Sequence, residues 1–436
     1  MKYKNILILV LVVMLSAFTT KPPKKSKLQA KVESLAEQNM TKVIEWRHHL
    51  HEHPELSNRE YKTAEYIAAH LKSLGLEVQT GVAKTGVVAI LKGGKPGPVV
   101  ALRADIDALP VPERAPIPWA SKAVGEYNGA EVPVMHACGH DTHTAILMGT
   151  AEVLSQVKSE LRGTVKFIFQ PAEEGAPKGE EGGAKLMVKE GVLKNPDVEA
   201  IFGLHISAGT HVGNINYKPG GALASVNSFE ITIHGKQTHG SAPWGGIDPI
   251  VTAAQIINNV QTIVSRNLNL TNEAAVISFG AINGGLRSNI IPEELTMIGT
   301  IRSLDEDMRL KILERLRVIV ENTAASNGAT ADLVIDEGYP ITFNDVELTN
   351  KMLPTLKSVM GEEHVRLVPA ITGAEDFSFY QKEIPGFFFF LGGTPLDTPE
   401  KDAAPHHTPD FYVDDAGMVY GVKAMSRLVV DYMNMK

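Results

Sequence analysis

A single cysteine, Cys138, stands in a chain of 436 residues. That excludes an intrachain disulfide and any small scaffold stapled by them. Aromatic residues make up only 6% and tryptophans number three. Net charge is −8, and no basic patch is interleaved with aromatic residues. A nucleic-acid partner is therefore not expected. The apolar run Ile6–Leu15 is too short for a comfortable membrane span. No internal repeat or low-complexity segment stands out.

The rest of the composition is that of a soluble globular protein, with 44% hydrophobic and 21% charged residues. The length favours two domains over one. Lys2 and Lys4 precede the apolar run, and the small and polar residues Ser16–Thr20 follow it. This is the pattern of a secretory signal peptide over residues 1–20, with a flexible tether over 21–27. The expected location is periplasmic or secreted. No cysteine follows the run, which excludes a lipid anchor there. In an oxidising compartment the Cys138 thiol needs burial or a metal to protect it.

Residues 28–53 read as helical, and 59–74 as a helix with Ala64, Ile67, Ala68, Leu71 and Leu74 on one face. Four apolar runs read as buried strands: Val99–Ala104, Val165–Gln170, Ala200–Ile206 and Phe387–Leu391. Helical stretches lie between them, which predicts an α/β domain with a largely parallel sheet. Residues 225–336 have another rhythm. The strand Phe229–His234 leads to a helix from Asp248-Pro249, with Ile250, Ala254, Ile257 and Val264 inward. Strands Ala275–Ala281 and Leu295–Arg302 follow. A helix carrying Leu313, Leu316, Ile319 and Val320 comes next, then a strand at Ala331–Asp336. The order β-α-β-β-α-β is the ferredoxin-like unit. It reads as an α+β lid or dimerisation domain inserted between catalytic segments 28–224 and 337–436.

Cys138 lies in Met135-His136-Ala137-Cys138-Gly139-His140-Asp141-Thr142-His143. Thiolate and imidazole suit zinc and its first-row neighbours, whereas a purely structural cysteine needs no such company. The helix after it is expected near Thr144. The strand Val165–Gln170 runs into Glu173-Glu174, Ala200–Ile206 ends near His205, and His406-His407 sit in a Pro-rich turn. Parallel sheets place ligands beyond the carboxyl ends of their strands. Two adjacent buried carboxylates are costly. A metal relieves one, and the other is free to take a proton from water.

These residues match a family. Cys138-Gly139-His140-Asp141, Gln170-Pro171-Ala172-Glu173-Glu174, Gly203-Leu204-His205 and His407-Thr408-Pro409-Asp410-Phe411 resemble the amidohydrolase branch of the metallo-aminoacylases and carboxypeptidases. Arg103–Pro110, His53–Ser57, Gly299–Arg302 and Gly373–Phe377 resemble it too. The branch includes hippurate hydrolases, N-acyl-amino-acid amidohydrolases and plant auxin–amino-acid conjugate hydrolases. The resemblance spans nearly everything after residue 40. It implies two divalent ions, of zinc, manganese, cobalt or nickel. Cys138 would bridge them, with His140, Glu174, His205 and His407 as further ligands and His406 set aside. Glu173 would be the general base. His239 in the insert would stabilise the oxyanion in a partner subunit's site, which implies a homodimer through the lid. Asn289, Arg302 and Glu375 are candidate substrate contacts. Thr142 stands where the branch usually has glycine, and Ala176–Glu181 is a polar extension that could alter access.

Other residues read as structural. His48, His49, His51 and His53 are supporting residues and not ligands, because only His49 and His53 have helical spacing and Pro54 disrupts it. Asp105 and Asp107 are expected to orient ligands. The three tryptophans and Phe387–Phe390 read as core. The function expected is hydrolysis of a small N-acyl amino acid to a carboxylic acid and an amino acid. A dipeptidase or carboxypeptidase using the same site is the alternative. A catalytically silent binding protein would lack a base or a ligand, and none is missing.

Overall fold

The computed structural model describes residues 25–435. The signal-peptide expectation, residues 1–20, lies outside them. The expected tether ends sooner than 27: Ser26 caps a helix that Lys27 begins, in a reciprocal capping box with Gln29. The expected helix 28–53 is two helices, Lys27–Gln38 and Met40–Glu52. Asn39 ends one and opens the other, a break that apolar spacing does not signal. Among the described residues no helix is long and apolar enough to cross a membrane.

Twelve strands carry the argument. In chain order they are β1 Glu77–Val82, β2 Gly86–Lys92, β3 Lys95–Asp105, β4 Arg162–Gln170, β5 Ala200–His211, β6 Ile215–Tyr217, β7 Ser225–His234, β8 Ala275–Asn283, β9 Glu294–Ser303, β10 Thr330–Glu337, β11 Val365–Leu367 and β12 Gly386–Thr394. Eight form one sheet in the order β1-β2-β4-β3-β5-β12-β6-β11. The centre, β4-β3-β5-β12, is parallel. The edge strands β1 and β2 are antiparallel, as is the pairing of β12 with β6. The sheet is thus mixed where a largely parallel one was expected. The antiparallel edge β1-β2 is a tight hairpin, which needs no crossover helix.

The central strands are apolar on both faces because helices cover both. One face packs on His140–Gln156 and Met418–Met435, with Lys27–Gln38 and Met40–Glu52 stacked against those helices, burying Val43, Ile146, Phe167, Phe202 and Leu428. The other covers Ile168, Ile201, Phe377 and Phe388 with Met187 from the short helix Gly183–Lys189. Phe387–Phe389 are core, as expected, but Trp244 is 85% exposed.

Residues between 225 and 337 build the second sheet, β8-β9-β7-β10, antiparallel throughout. Alternation along β7 turns Phe229, Ile231 and Ile233 into a separate core with the helices Pro249–Thr262 and Glu306–Ser326. This is the ferredoxin-like order. Asp248 Oδ1 accepts from the amides of Ile250 and Val251, as an N-cap should. The buried stripe of that helix is Ala253, Ile256, Val260 and Ile263, while Ile257 and Val264 only flank it. Ile250 and Val251 point outward, 46% and 50% exposed. The helix carries two apolar stripes, and periodicity alone does not say which one meets the sheet.

Candidate metal centre

The carboxyl ends of β3, β4 and β5 lie side by side and deliver the clustered residues. Cys138-Gly139 leads into a helix that begins at His140, earlier than the expected Thr144. Gly139 has φ 91°, and a Cβ there would meet Ile206 Cγ2 at 2.3 Å. Only glycine permits that turn. Thr142 falls in the first regular turn, its amide bonded to Gly139 O at 2.9 Å. His205 is not at the end of its strand; β5 continues to His211.

Among the described residues, five groups of potential ligand atoms lie within 4.8 Å of one another, and two of them consist wholly of the expected ligands: Cys138, His140 and His205, and Cys138, Glu174 and His407. They share Cys138. Its Sγ is 3.4 Å from His205 Nε2 and 3.3 Å from His407 Nε2. His407 Nε2 lies 3.1 Å and His140 Nε2 3.8 Å from Glu174 Oε1.

Hydrogen bonds aim these atoms. His140 Nδ1 faces Asp107 O at 2.9 Å and Asp107 Oδ1 at 3.1 Å, both acceptors, so Nδ1 carries the hydrogen and Nε2 turns to the cluster. His205 Nδ1 donates to Ile206 O at 2.6 Å. The amide of Ile206 donates to His143 Nε2 at 2.7 Å, so His143 donates from Nδ1 to Asp105 Oδ1 at 2.6 Å. Asp105 and Asp107 therefore orient the histidines, as expected. His406 is spent otherwise: its Nε2 accepts from the amide of Ala208 and its Nδ1 donates to Cys138 O. That leaves His407 as the ligand candidate of the pair.

The chemistry fits cations. His140 Nε2 is buried with no hydrogen-bond partner, and the buried Glu174 Oε1 has only the His407 Nε2 contact. Burial, then Glu174 and Glu173, push the Cys138 thiol well up. Burial, then Glu375 and Glu174, push the Glu173 carboxyl well up. Burial opposes charge on His140, yet Asp105 and Asp107 hold its pKa up to about 10. A divalent ion bound here would take the place of those protons and make the thiolate, carboxylates and neutral imidazoles compatible in one buried space.

Glu173 is 7% exposed beside this group. The turn that places it is strained, with Ala172 at φ 53°. The buried Glu60 accepts from the Ala172 amide at 2.9 Å. Tyr339, just after β10, donates its hydroxyl to Glu173 O at 2.7 Å. Arg103, 1% exposed, donates to Gln170, Asp105, Glu375 and Asp376. Glu375 thus pairs with Arg103 while it lines the cavity of about 670 Å³ beside Cys138 and Glu173. Tyr339, Glu60, His143 and Arg103 carry no role in the sequence reading. His143, within the Cys138 motif, and Arg103, at the head of a family-like stretch, had usable signals; Tyr339 and Glu60 had none.

The structure does not bring His239, Asn289 or Arg302 to this cavity. His239 and Asn289 are exposed neighbours on the insert, joined through the backbone bond Gly240 N–H to Asn289 O. Ser241 N–H donates to His239 Nδ1 at 3.0 Å, which leaves Nε2 as an outward donor. Arg302 is half-buried on β9, opposite Val226 and Val276. The histidines before Pro54 also lie apart from the cluster. His51 bridges Asp141 and Glu113, His48 meets Asp415, and His53 bonds back to His49 O.

The model for peptidase family M20/M25/M40 matches residues 101–431. The chain belongs to that family. It is 39% identical to an N-acetylcysteine deacetylase of Bacillus subtilis, over 89% of this chain and 96% of that one. It is 34% identical to an IAA-amino acid hydrolase of Arabidopsis thaliana, over 94% and 90%. A solved Bacillus subtilis structure, described as a dinuclear metal-binding peptidase of the M20 family, superposes with TM-score 0.75 at 36% identity, over 92% and 100% of the two chains. The protein is therefore a metal-dependent amidohydrolase, and the two ligand groups that share Cys138 are its candidate dinuclear centre.

Proposed function

We propose that this amidohydrolase is exported and cleaves N-acyl amino acids to a carboxylic acid and an amino acid. The observation that carries the reading is Glu173, a buried carboxylate beside two ligand groups that share one thiol. The names of the deacetylase and the IAA-amino acid hydrolase, both of which describe N-acyl amino acid substrates, support the substrate class.

Cys138, His140, Glu174, His205 and His407 would hold the ions. Bound there, the ions supply Lewis acidity toward the acyl carbonyl and the attacking water. Glu173 takes the proton of that water and delivers it to the departing nitrogen. Tyr339 fixes the peptide of Glu173, and Arg103 balances the carboxylates behind it.

The oxyanion donor is His239 of a second copy. Its Nε2 faces outward, and it is paired with Ile290 across a two-stranded ribbon. The same insert exposes the apolar side chains of Trp244, Ile250, Val251, Leu286 and Ile290. Exposed apolar surface on the insert suits an interface between copies. Export rests on the Lys-apolar-small pattern of residues 1–20.

The test is release of free amino acid from N-acyl amino acids by the metal-loaded protein. Chelation is expected to abolish it, and metal to restore it. A protein that cleaves dipeptides and leaves N-acyl amino acids intact is a dipeptidase instead.

A further inference from the structure

The cavity has two unlike walls. One carries the ligand groups, Glu173 and Glu375. The other is mainly apolar, with Leu223, Val368, Pro369, Ala370, Ile371 and Phe390, and includes Asn216 paired with Phe390. The apolar wall is built by backbone bonds and is not a loose loop. Val368 N–H donates to Tyr217 O, Ile371 N–H to Ala222 O, and Ala224 N–H to Ile371 O and Gly373 O. Ile371 is 48% exposed, an aliphatic side chain left facing open space. The Phe390 ring lies 6.2 Å from that of His205, so the apolar surface reaches the ligand set.

We infer that this wall is the acyl subsite, and that it selects long-chain or aromatic acyl groups over acetyl. The inference rests on the N-acyl amino acid reading above. An N-acyl amino acid has two ends, and they differ in charge. The amino-acid half carries a carboxylate one bond from its Cα, and burying an unpaired carboxylate on hydrocarbon is prohibitive. Apart from histidines, the only cation of the lining is Lys218. Its Nζ is already held by Gly221 O at 2.7 Å and Glu273 Oε1 at 3.0 Å. The uncharged acyl half therefore takes the apolar wall. The cavity, about 670 Å³, falls in the ~300–1,000 Å³ range of pockets that enclose drug-sized ligands. An acetyl methyl leaves most of that wall wet. Each further methylene buried against it is worth about fourfold in binding, from ~0.8 kcal/mol.

The experiment compares kcat/KM for N-acetyl-L-alanine, N-hexanoyl-L-alanine, N-benzoyl-L-alanine and N-acetyl-L-norleucine in the metal-loaded wild type, Ile371→Asp and the milder Ile371→Ala. Hexanoyl and benzoyl are expected to exceed acetyl by at least about tenfold in the wild type. That ratio is expected to shrink in Ile371→Ala and to approach one in Ile371→Asp, with norleucine gaining little. Acetyl equal to or better than hexanoyl and benzoyl overturns the inference and leaves the N-acyl amino acid reading standing. A gain for norleucine that Ile371→Asp removes also overturns it, because the wall then holds the amino-acid side chain. Cleavage of none of the four removes the N-acyl amino acid reading itself, and this inference with it. If neither variant folds, the wild-type series alone decides.

Discussion

The candidate active-site residues come from two regions built by opposite means. At the carboxyl ends of β3, β4 and β5, His140, Glu173 and Asp107 are buried and tied to neighbours on several sides. On the insert, His239 and Asn289 are exposed, and the contacts of their ribbon are local. A charge cluster that must hold ions has to be rigid and dry before substrate arrives, because desolvation and misplacement are both costly. A donor that meets only the developing oxyanion has no such need until the complex forms. Under the proposed reading of His239, exposure in the insert is what a residue that serves a partner's site requires, whereas exposure at the sheet would mark a broken site.

The contrast can be broken most forcefully at Glu173. Glu173→Gln is expected to keep its bound metal and lose about 10²–10⁴-fold in kcat, since the amide fills the space but accepts no proton. Metal analysis beside steady-state kinetics checks it, and near-normal turnover in the loaded variant would put the base elsewhere.

His239→Ala is expected to lose about 10²–10³-fold in kcat, the usual cost of removing an oxyanion donor. Its distinguishing property is repair in trans. Glu173→Ala and His239→Ala chains, unfolded, mixed and refolded together, should regain activity, because one site of the mixed dimer then has both groups. Heterodimers as inactive as either parent would place His239 in its own chain's site, or in none.

Tyr339 lies between the two regions, just past β10, with its hydroxyl on the Glu173 carbonyl. Tyr339→Phe removes one neutral hydrogen bond, worth about 0.5–1.5 kcal/mol. A fall of a few-fold to about tenfold in kcat, with KM and metal content held, is the expected reading. A change confined to KM would mean that the hydroxyl serves substrate and not the base.

The last effect falls on stability and not on turnover, and in the sheet region alone. Burial disfavours the charged form of His51, but Asp141 and Glu113 outweigh it and raise its pKa to about 9. A folded pKa raised above the ordinary 6.5 gives stabilisation that is complete below pH 6.5 and lost as pH rises through about 9. Tm is expected to decline across that window, and His51→Gln to flatten the decline. Calorimetry across the pH range reads this directly, and an unchanged slope in the variant would show that another group titrates.

The sheet-borne cluster was legible because its residues are chemically out of place: a lone cysteine among histidines, and paired glutamates behind an apolar strand. Their spacing along the chain is short, so each motif announced itself. The apolar wall was not legible. Val368–Ile371 and Leu223 are ordinary residues far apart in sequence, and only the bonds to Tyr217 and Ala222 bring them together. The ferredoxin-like unit followed from its element order. The inward face of Pro249–Thr262 did not, because two apolar stripes run along that helix and only packing chooses between them. His407 over His406 followed from resemblance; the physical reason, that both nitrogens of His406 are engaged, needed coordinates.

The lone buried thiol also makes the protein its own occupancy counter. Cys138 is shared by both ligand groups, and no other sulfhydryl exists in the chain. A small thiol reagent should therefore label at most one group per chain, slowly because burial and the glutamates keep the thiol protonated, and only where the centre is empty, its rate falling as metal is titrated in. Cobalt at the centre should add a sulfur-to-metal absorption band that disappears on Cys138→Ser. The same arithmetic applies to damage: one oxidised sulfur disables both halves of the centre at once, so inactivation by peroxide should be single-hit and prevented by bound metal.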